Sequence, residues 1–274
     1  MKTVLVTGCS SGIGRATALE FRRREWTVYA TARDPYDLTD LADAGCETDT
    51  LDVTSQSDVD RVVDRIVESE GRIDCLVNNA GYGQFGPIED VPISRVHAQF
   101  DVNVYGPHRL TRAVLPHMRE RGEGTIVNVS STAGRLASPM MGVYAGSKHA
   151  LEAMSDALRA EVDSFGVDVV LVEPGPVKTP FGDRAMEMLD DLPRSDGYED
   201  LYHIQRDTNV MGGGGGTFGV RPDAVAETIV DAANVADPAA RYPVGDIAKL
   251  GVLGRYLPDR IRDRLFDLVR WVMS

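Results

Sequence analysis

The chain is expected to fold as one α/β domain, a doubly wound parallel sheet of about seven strands with helices on both faces. Three observations predict this. Short β-branched apolar runs alternate with longer segments of helical apolar spacing from Lys2 onward. The first run ends in a glycine-rich loop, Gly8 to Gly14, that opens a helical pattern. Later runs end in small or polar residues, as at Asn78-Asn79-Ala80-Gly81 and Ser130-Ser131, where parallel sheets place their ligands.

The strand at Lys2–Thr7 leads into Gly8-Cys9-Ser10-Ser11-Gly12-Ile13-Gly14 and a helix over Ala16–Glu25. Glycines there let the backbone approach a pyrophosphate, whose charge then meets the N–H groups and positive dipole end of the helix. The spacing differs from the usual G-x-G-x-x-G, so an ordinary βα turn is the competing reading. Trp26–Thr31 is the second strand and ends at Arg33-Asp34, the ribose-reading position of a dinucleotide fold. An acid there favours NAD, whereas an arginine pairs with a 2′-phosphate. Arg33 comes first and favours NADP(H), and Ser11 could add a hydroxyl to the same phosphate. Asp34 as the true reader, and hence NAD(H), is the alternative.

Glu47–Val53 forms the third strand and puts Asp52 at its carboxyl end; Ser55–Ser69 carries Val59, Val62, Val63, Ile66 and Val67 at helical spacing. Cys75–Val77 is the fourth strand. A long helical stretch follows over Ser94–Arg121, with Asn103 inside it and Pro107 and Pro116 expected to bend or interrupt it. Mid-helix asparagine is unfavourable without a task or a partner. The fifth strand, Thr125–Val129, delivers Ser130-Ser131.

Val143–Phe165 is helical on the spacing of Ala150, Leu151, Met154, Leu158 and Val162, which sets Tyr144 and Lys148 one turn apart on one face. An ammonium beside a phenol stabilises phenolate and draws the tyrosine pKa down from about 10. Tyr144 is therefore a candidate general acid/base, although an amphipathic surface helix also presents such pairs. The sixth strand, Val167–Val172, delivers Glu173-Pro174-Gly175-Pro176-Val177-Lys178-Thr179. Periodicity fails over residues 180–219, which include the glycine run 212–216, and this stretch is expected to be a substrate-binding loop. Arg221–Ala236 is a helix with Pro222 in its first turn, and Tyr242 lies in a short last strand.

The C-terminal stretch 255–274 is expected to be an amphipathic helix with Leu257, Ile261, Leu265, Leu268 and Val272 on one stripe. Its opposite face mixes arginines and aspartates, which argues against membrane contact and for packing on the domain or a partner subunit.

Composition narrows the function classes. At 274 residues the chain could hold one large domain or two small ones, and the unbroken strand–helix rhythm favours one over 1–274. With 43% hydrophobic and 26% charged residues and no apolar run near a spanning length of about 20, it reads as soluble. The apolar start, Val4-Leu5-Val6, is too short for a secretory signal, so a cytoplasmic location is expected. A net charge of −13 and a pI near 4.8 exclude nucleic acid as a partner. Lysine occurs only at Lys2, Lys148, Lys178 and Lys249. That scarcity, with abundant acid, suits a high-salt cytosol, and the preference for arginine equally suits a GC-rich genome. Cys9, Cys46 and Cys75 are odd in number and lack metal-ligand spacing, so reduced thiols and no metal site are expected.

Taken together, Thr7-Gly8-Cys9-Ser10-Ser11-Gly12-Ile13-Gly14, Asn78-Asn79-Ala80-Gly81, Asn103, Ser131, Tyr144-x-x-x-Lys148 and Pro174-Gly175 resemble the short-chain dehydrogenase/reductase family, with its Rossmann-type fold. The match covers residues 1 to about 180. The glycine loop, Tyr29 to Asp34 and Gly175 to Thr179 are similar to its NADP-using hydroxysteroid and retinol dehydrogenase branch. The resemblance implies that Tyr144 exchanges a proton with a carbonyl or alcohol oxygen while the nicotinamide exchanges hydride with the carbon. Lys148 would lower the phenol pKa and hold the nicotinamide ribose, Ser131 would bond the developing oxyanion, and Asn103 would hold a water linking Lys148 to solvent. Gly8, Ser10, Ser11, Gly12, Ile13, Gly14 and Gly81 would line the cofactor path. Asp52 and Val53 would contact the adenine, Asn79 and Ala80 the adenosine half, and Pro174, Gly175, Val177 and Thr179 the nicotinamide. A homodimer or homotetramer is implied likewise. Tyr82, Phe85, Met140, Met141, Tyr198 and Tyr202 suggest a fairly apolar carbonyl or alcohol substrate. The rival reading is an NADP(H)-binding sensor or interaction protein without turnover.

Overall fold

The computed structural model describes residues 1–207 and 219–264. Seven parallel strands form one sheet: β1 (Thr3–Thr7), β2 (Thr27–Ala32), β3 (Glu47–Thr50), β4 (Cys75–Asn78), β5 (Gly124–Val129), β6 (Val167–Pro174) and β7 (Arg241–Val244). Their spatial order is β3-β2-β1-β4-β5-β6-β7, so the winding reverses between β1 and β4. That reversal opens a crevice at the carboxyl ends of the strands.

Side-chain alternation along each strand feeds two cores. Val4, Val6, Val28, Ala30 and Val127 point to one face and Leu5, Tyr29, Leu76 and Ile126 to the other. The first face is covered by α1 (Gly12–Arg23) and α9 (Pro222–Ala232), through Ala18, Phe21, Val225 and Ile229. The second is covered by α3 (Gln56–Glu70) and α5 (Gly106–Arg121), through Val59, Val62, Ile66, Leu110 and Val114. Burial on both faces is why the strands read as continuous apolar runs. Local signals set the helix ends: Ser55 caps α3 by accepting from Asp58 N–H at 3.3 Å, and Gly71 closes it at φ 67°.

At the amino end of the sheet Asp74 is buried and fully partnered. It accepts from Thr3 N–H at 2.7 Å, from Arg121 at 2.9 Å and from both arms of Arg72. Burial raises its pKa, but Arg72, the Thr3 N–H and Arg121 outweigh burial and hold the carboxyl below the usual range.

Three expectations are corrected. The long helical stretch breaks not at its prolines but at a π-helical turn, Asp101–Tyr105, between α4 (Ile93–Phe100) and α5. Pro107 falls in the first turn of α5, where a missing N–H costs nothing, and Pro116 lies inside that helix. The stretch 180–219 contains α7 (Phe181–Asp190) and α8 (Glu199–Asp207); the glycine run lies outside the described residues. The core face of α7 is Gly182, Ala185 and Leu189, two of them too small to register as an apolar stripe. Near the C-terminus a further helix, α10 (Asp246–Gly254), precedes a turn at 255–256, and helix resumes at 259–264. Pro258 explains the interruption, while Leu265, Leu268 and Val272 lie outside the described residues. Among the described residues no helix is long and apolar enough to cross a membrane.

Candidate active site

The glycine loop sits at the switch point between β1 and β4. Gly8 and Gly12 have φ of 71° and 57°, and a Cβ on Gly8 would lie 2.8 Å from Ala80 Cα. Gly12 presses on Thr179, so the loop, the end of β4 and the segment after β6 converge although they are far apart in sequence. Asn79 joins the first two: its amide donates to Thr7 O at 2.8 Å and Gly8 O at 3.1 Å. The first turn of α1 holds no acidic residue, and its N-cap Ser11 makes no side-chain cap bond. Those unclaimed N–H groups at a positive dipole end fit a pyrophosphate. Beside them Gly12, Arg15, Lys178 and Thr179 line a cavity of about 250 Å³.

At the end of β2, Arg33 and Asp34 are both exposed but differently engaged. Asp34 accepts from Tyr36 N–H at 2.9 Å and caps the turn Pro35–Leu38. Arg33 instead faces Asp52, whose carboxyl is held below the usual range. Burial opposes that, but bonds from Thr54 N–H and its hydroxyl, with the charges of Arg33 and Arg109, prevail. Val53 is buried next to it and packs against Gly106.

β5 delivers Ser131 to the mouth of the crevice, where it caps the turn Thr132–Gly134 by accepting from Ala133 N–H at 3.1 Å. Across from it α6 (Gly142–Val162) places Tyr144 and Lys148. Tyr144 is only 6% exposed, and burial pushes its pKa up to about 12, partly offset by the Ser131 hydroxyl facing the phenol. The expected depression by Lys148 is therefore corrected: burial wins here. Lys148 is equally buried and donates from Nζ to Val129 O at 2.8 Å. Burial lowers it to about 8, with Glu152 acting in the opposite sense.

Asn103 lies in the π-helical turn, where its side chain is held by two neighbouring segments. Its Oδ1 accepts from Tyr82 N–H at 3.2 Å, and its Nδ2 donates to Tyr82 O at 3.0 Å and Ser147 Oγ at 3.1 Å. It ties the Gly81-Tyr82 segment to α6. After β6, Gly175 N–H bonds Val244 O at 3.0 Å, and Val177 pairs with Val220.

The apolar wall over Tyr144 consists of Phe85, at 6.1 Å between ring centroids, and Phe181, at 5.5 Å, with Met141 packed against them. Phe181 escaped the sequence reading; its signal was its position directly after Thr179-Pro180. Tyr198 and Tyr202 turn elsewhere, donating to Glu89 at 2.8 Å and to Asp90 at 2.7 Å. Met140 is buried with φ 67°, and its carbonyl accepts from Gly86 N–H at 2.7 Å. The three cysteines are buried free thiols, and among the described residues no group of side chains could hold a metal.

A switch-point crevice with an anion-ready helix end, next to a Ser–Tyr–Lys set whose tyrosine and lysine are buried, is the equipment of a nucleotide-dependent oxidoreductase. The family model described as short chain dehydrogenase matches residues 2–190, and the chain belongs to that family of oxidoreductases acting on CH–OH groups. It is 34% identical to an NADPH-dependent 3-dehydrocapnine reductase of Ornithobacterium rhinotracheale, over 97% of this chain and 96% of that one. It is also 34% identical to estradiol 17-beta-dehydrogenase 1 of Rattus norvegicus, over 87% of this chain and 72% of the relative. A crystal structure of a short-chain dehydrogenase from Streptomyces avermitilis superposes with a TM-score of 0.82 at 34% identity, covering 99% of this chain and 97% of that one.

Proposed function

We propose that the chain is an NADP(H)-dependent oxidoreductase that converts an apolar carbonyl and the corresponding alcohol, with Tyr144 as the acid/base. The observation that carries this reading is the Ser131 hydroxyl facing the buried Tyr144 phenol, with Lys148 one turn on. When bound, the nicotinamide supplies the hydride donor or acceptor. With its pKa raised to about 12, Tyr144 is a phenol at neutral pH and donates its proton to the carbonyl oxygen as charge develops there. Ser131 donates a hydrogen bond to that same oxygen. In the reverse direction Tyr144 takes the alcohol proton, and Ser131 and the Lys148 charge favour the phenolate that this requires.

Arg33 supports NADP(H), because Asp34 is engaged as a turn cap and Arg33 is the charge left at the ribose-reading position. The NADPH dependence of the 3-dehydrocapnine reductase points the same way. Gly8, Ser10, Ser11, Gly12, Ile13, Gly14 and Gly81 line the cofactor path in this reading. Asp52, Val53, Asn79 and Ala80 serve the adenosine half, and Pro174, Gly175, Val177 and Thr179 the nicotinamide half. Phe85, Met141 and Phe181 make the substrate side apolar. A homodimer or homotetramer in the cytoplasm completes the proposal.

The test is Tyr144→Phe assayed with NADPH against apolar ketones and aldehydes. Loss of roughly 100-fold or more in kcat with NADPH affinity kept is the expected result. Turnover near wild type would overturn the mechanism, and NADPH binding without turnover in the unaltered protein would favour a sensor.

A further inference from the structure

Behind the Ser–Tyr–Lys set lies a second group of charges that the proposed reaction does not use. Glu173, on β6, is 1% exposed and directly precedes Pro174-Gly175. Glu152, on α6, stands one turn beyond Lys148 and is also buried. Arg135 ends the turn that begins at Ser131, and Arg241 opens β7. Arg135 Nη1 lies 3.5 Å from a carboxylate oxygen of each glutamate, and Arg241 Nε lies 3.1 Å from Glu152 and 3.4 Å from Glu173. The four residues thus join the segments carrying Ser131, Lys148 and the nicotinamide loop to β7.

The cluster is under-bonded for its depth. Both oxygens of Glu173, Oε1 of Glu152 and Nε of Arg135 are buried without a hydrogen-bond partner. Burial and the neighbouring Glu152 carboxylate both disfavour a charge on Glu173. Packing is close as well: a Cβ on Gly134 would meet Ser130 Oγ at 2.7 Å, Glu152 Cγ at 3.1 Å and Lys148 Cβ at 3.3 Å.

We infer that Arg135, Glu152, Glu173 and Arg241 form a positioning cluster for the reaction proposed above, on which this inference rests. Glu152 places its carboxylate one helical turn from Lys148 and favours the ammonium, while Arg135, Arg241 and Glu173 fix where that carboxylate sits. Among the described residues the other groups facing this network are few. α6 adds Tyr144 and, through Arg241, Asp156; β5 presents the Val129 carbonyl to Lys148; Asp246 and Lys249 of α10, which packs on the Thr132–Gly134 turn, are exposed. In support, Glu173 is raised to about 7 by burial and by Glu152, against the pull of Arg135 and Arg241.

A change of charge in the cluster gives a signature that loss of packing would not produce. Removing the Glu152 charge makes Lys148 lose its proton at lower pH. Glu173 adjoins Glu152 rather than Lys148, so removing its charge moves Lys148 in the same direction but less. The experiment records kcat of carbonyl reduction against pH at saturating NADPH for the wild type, Glu152→Gln and Glu173→Gln, with NADPH affinity and far-UV circular dichroism alongside. The alkaline limb should move down by about one pH unit in Glu152→Gln and by less in Glu173→Gln. A limb that stays fixed in Glu152→Gln, or moves further in Glu173→Gln than in Glu152→Gln, would overturn the inference. If Glu152→Gln does not fold, Glu152→Asp keeps the charge but withdraws it and should give a smaller downward move. Tyr144→Phe in the same series separates the two claims: a dead Tyr144→Phe with unmoved limbs removes only the cluster, whereas an active one removes the acid/base reading.

Discussion

The two ends of the sheet hold the same chemistry in opposite conditions. At the amino end Asp74 is buried with an N–H at 2.7 Å and two arginines in hydrogen-bond reach, and its carboxyl is held ionised. At the carboxyl end Glu173 is buried with two arginines at 3.4 and 3.5 Å, no hydrogen bond and a pKa near 7. Burial acts alike on both; what differs is whether donors are close enough to outweigh it. One end is built to stay as it is, and the other holds groups able to change their protonation. A parallel sheet separates these duties because its loops and helix N-termini converge only at the carboxyl end.

The largest effect should come from breaking the satisfied end. Asp74→Ala leaves Arg72, Arg121 and Thr3 N–H without their common partner and should cost about 3–5 kcal/mol in urea unfolding. Because its folded pKa is depressed, the stability Asp74 supplies is present above its unfolded pKa of about 3.9 and is lost as the pH falls through the folded value. Breaking the reactive end should be kinetic. Ser131→Ala is expected to lower kcat by about 100-fold, equivalent to about 2.7 kcal/mol in the barrier, with the unfolding midpoint far less changed than in Asp74→Ala. A smaller effect should separate Arg33 from its neighbour. Arg33→Ala should weaken NADPH by about 1.5–3 kcal/mol while sparing NADH, whereas Asp34→Ala should cost about 1 kcal/mol of stability with cofactor preference unchanged. Binding titrations with both cofactors check this.

A further effect has the sign opposite to that of Asp74. Glu173 has a raised folded pKa, so its contribution is most favourable below its unfolded value of about 4.3 and declines as pH rises to about 7. Glu173→Gln should therefore gain stability over wild type at pH 8 and lose that gain near pH 5, read by paired denaturation curves. An equal difference at both pH values would show that the two ends do not titrate in opposite senses.

Much of the fold was legible because its signals are local. Val4-Leu5-Val6 announces a strand buried on both faces, Ser55 and Gly71 bound α3, and Gly8 to Gly14 marks the loop. The candidate residues Ser131, Tyr144 and Lys148 were legible by type and spacing, and the structure brings them together. Phe181 was not, since the small residues of α7 mute its periodicity, nor was the π-helical turn at Asp101–Tyr105, which follows from tertiary fit.

The sequence by itself determined the class of sheet, the glycine loop and the identity of the groups facing the crevice, because strand alternation and helical spacing act within a few residues. Only the tertiary structure decided their states. Tyr144 rises toward 12 because α6 is buried under Phe85 and Phe181, and Asp34 is spent on a turn while Arg33 stays open. Glu152 and Glu173 meet because α6 packs beside β6. Burial and neighbouring charge are set by contacts between segments distant along the chain, and those contacts exist only once the sheet has formed.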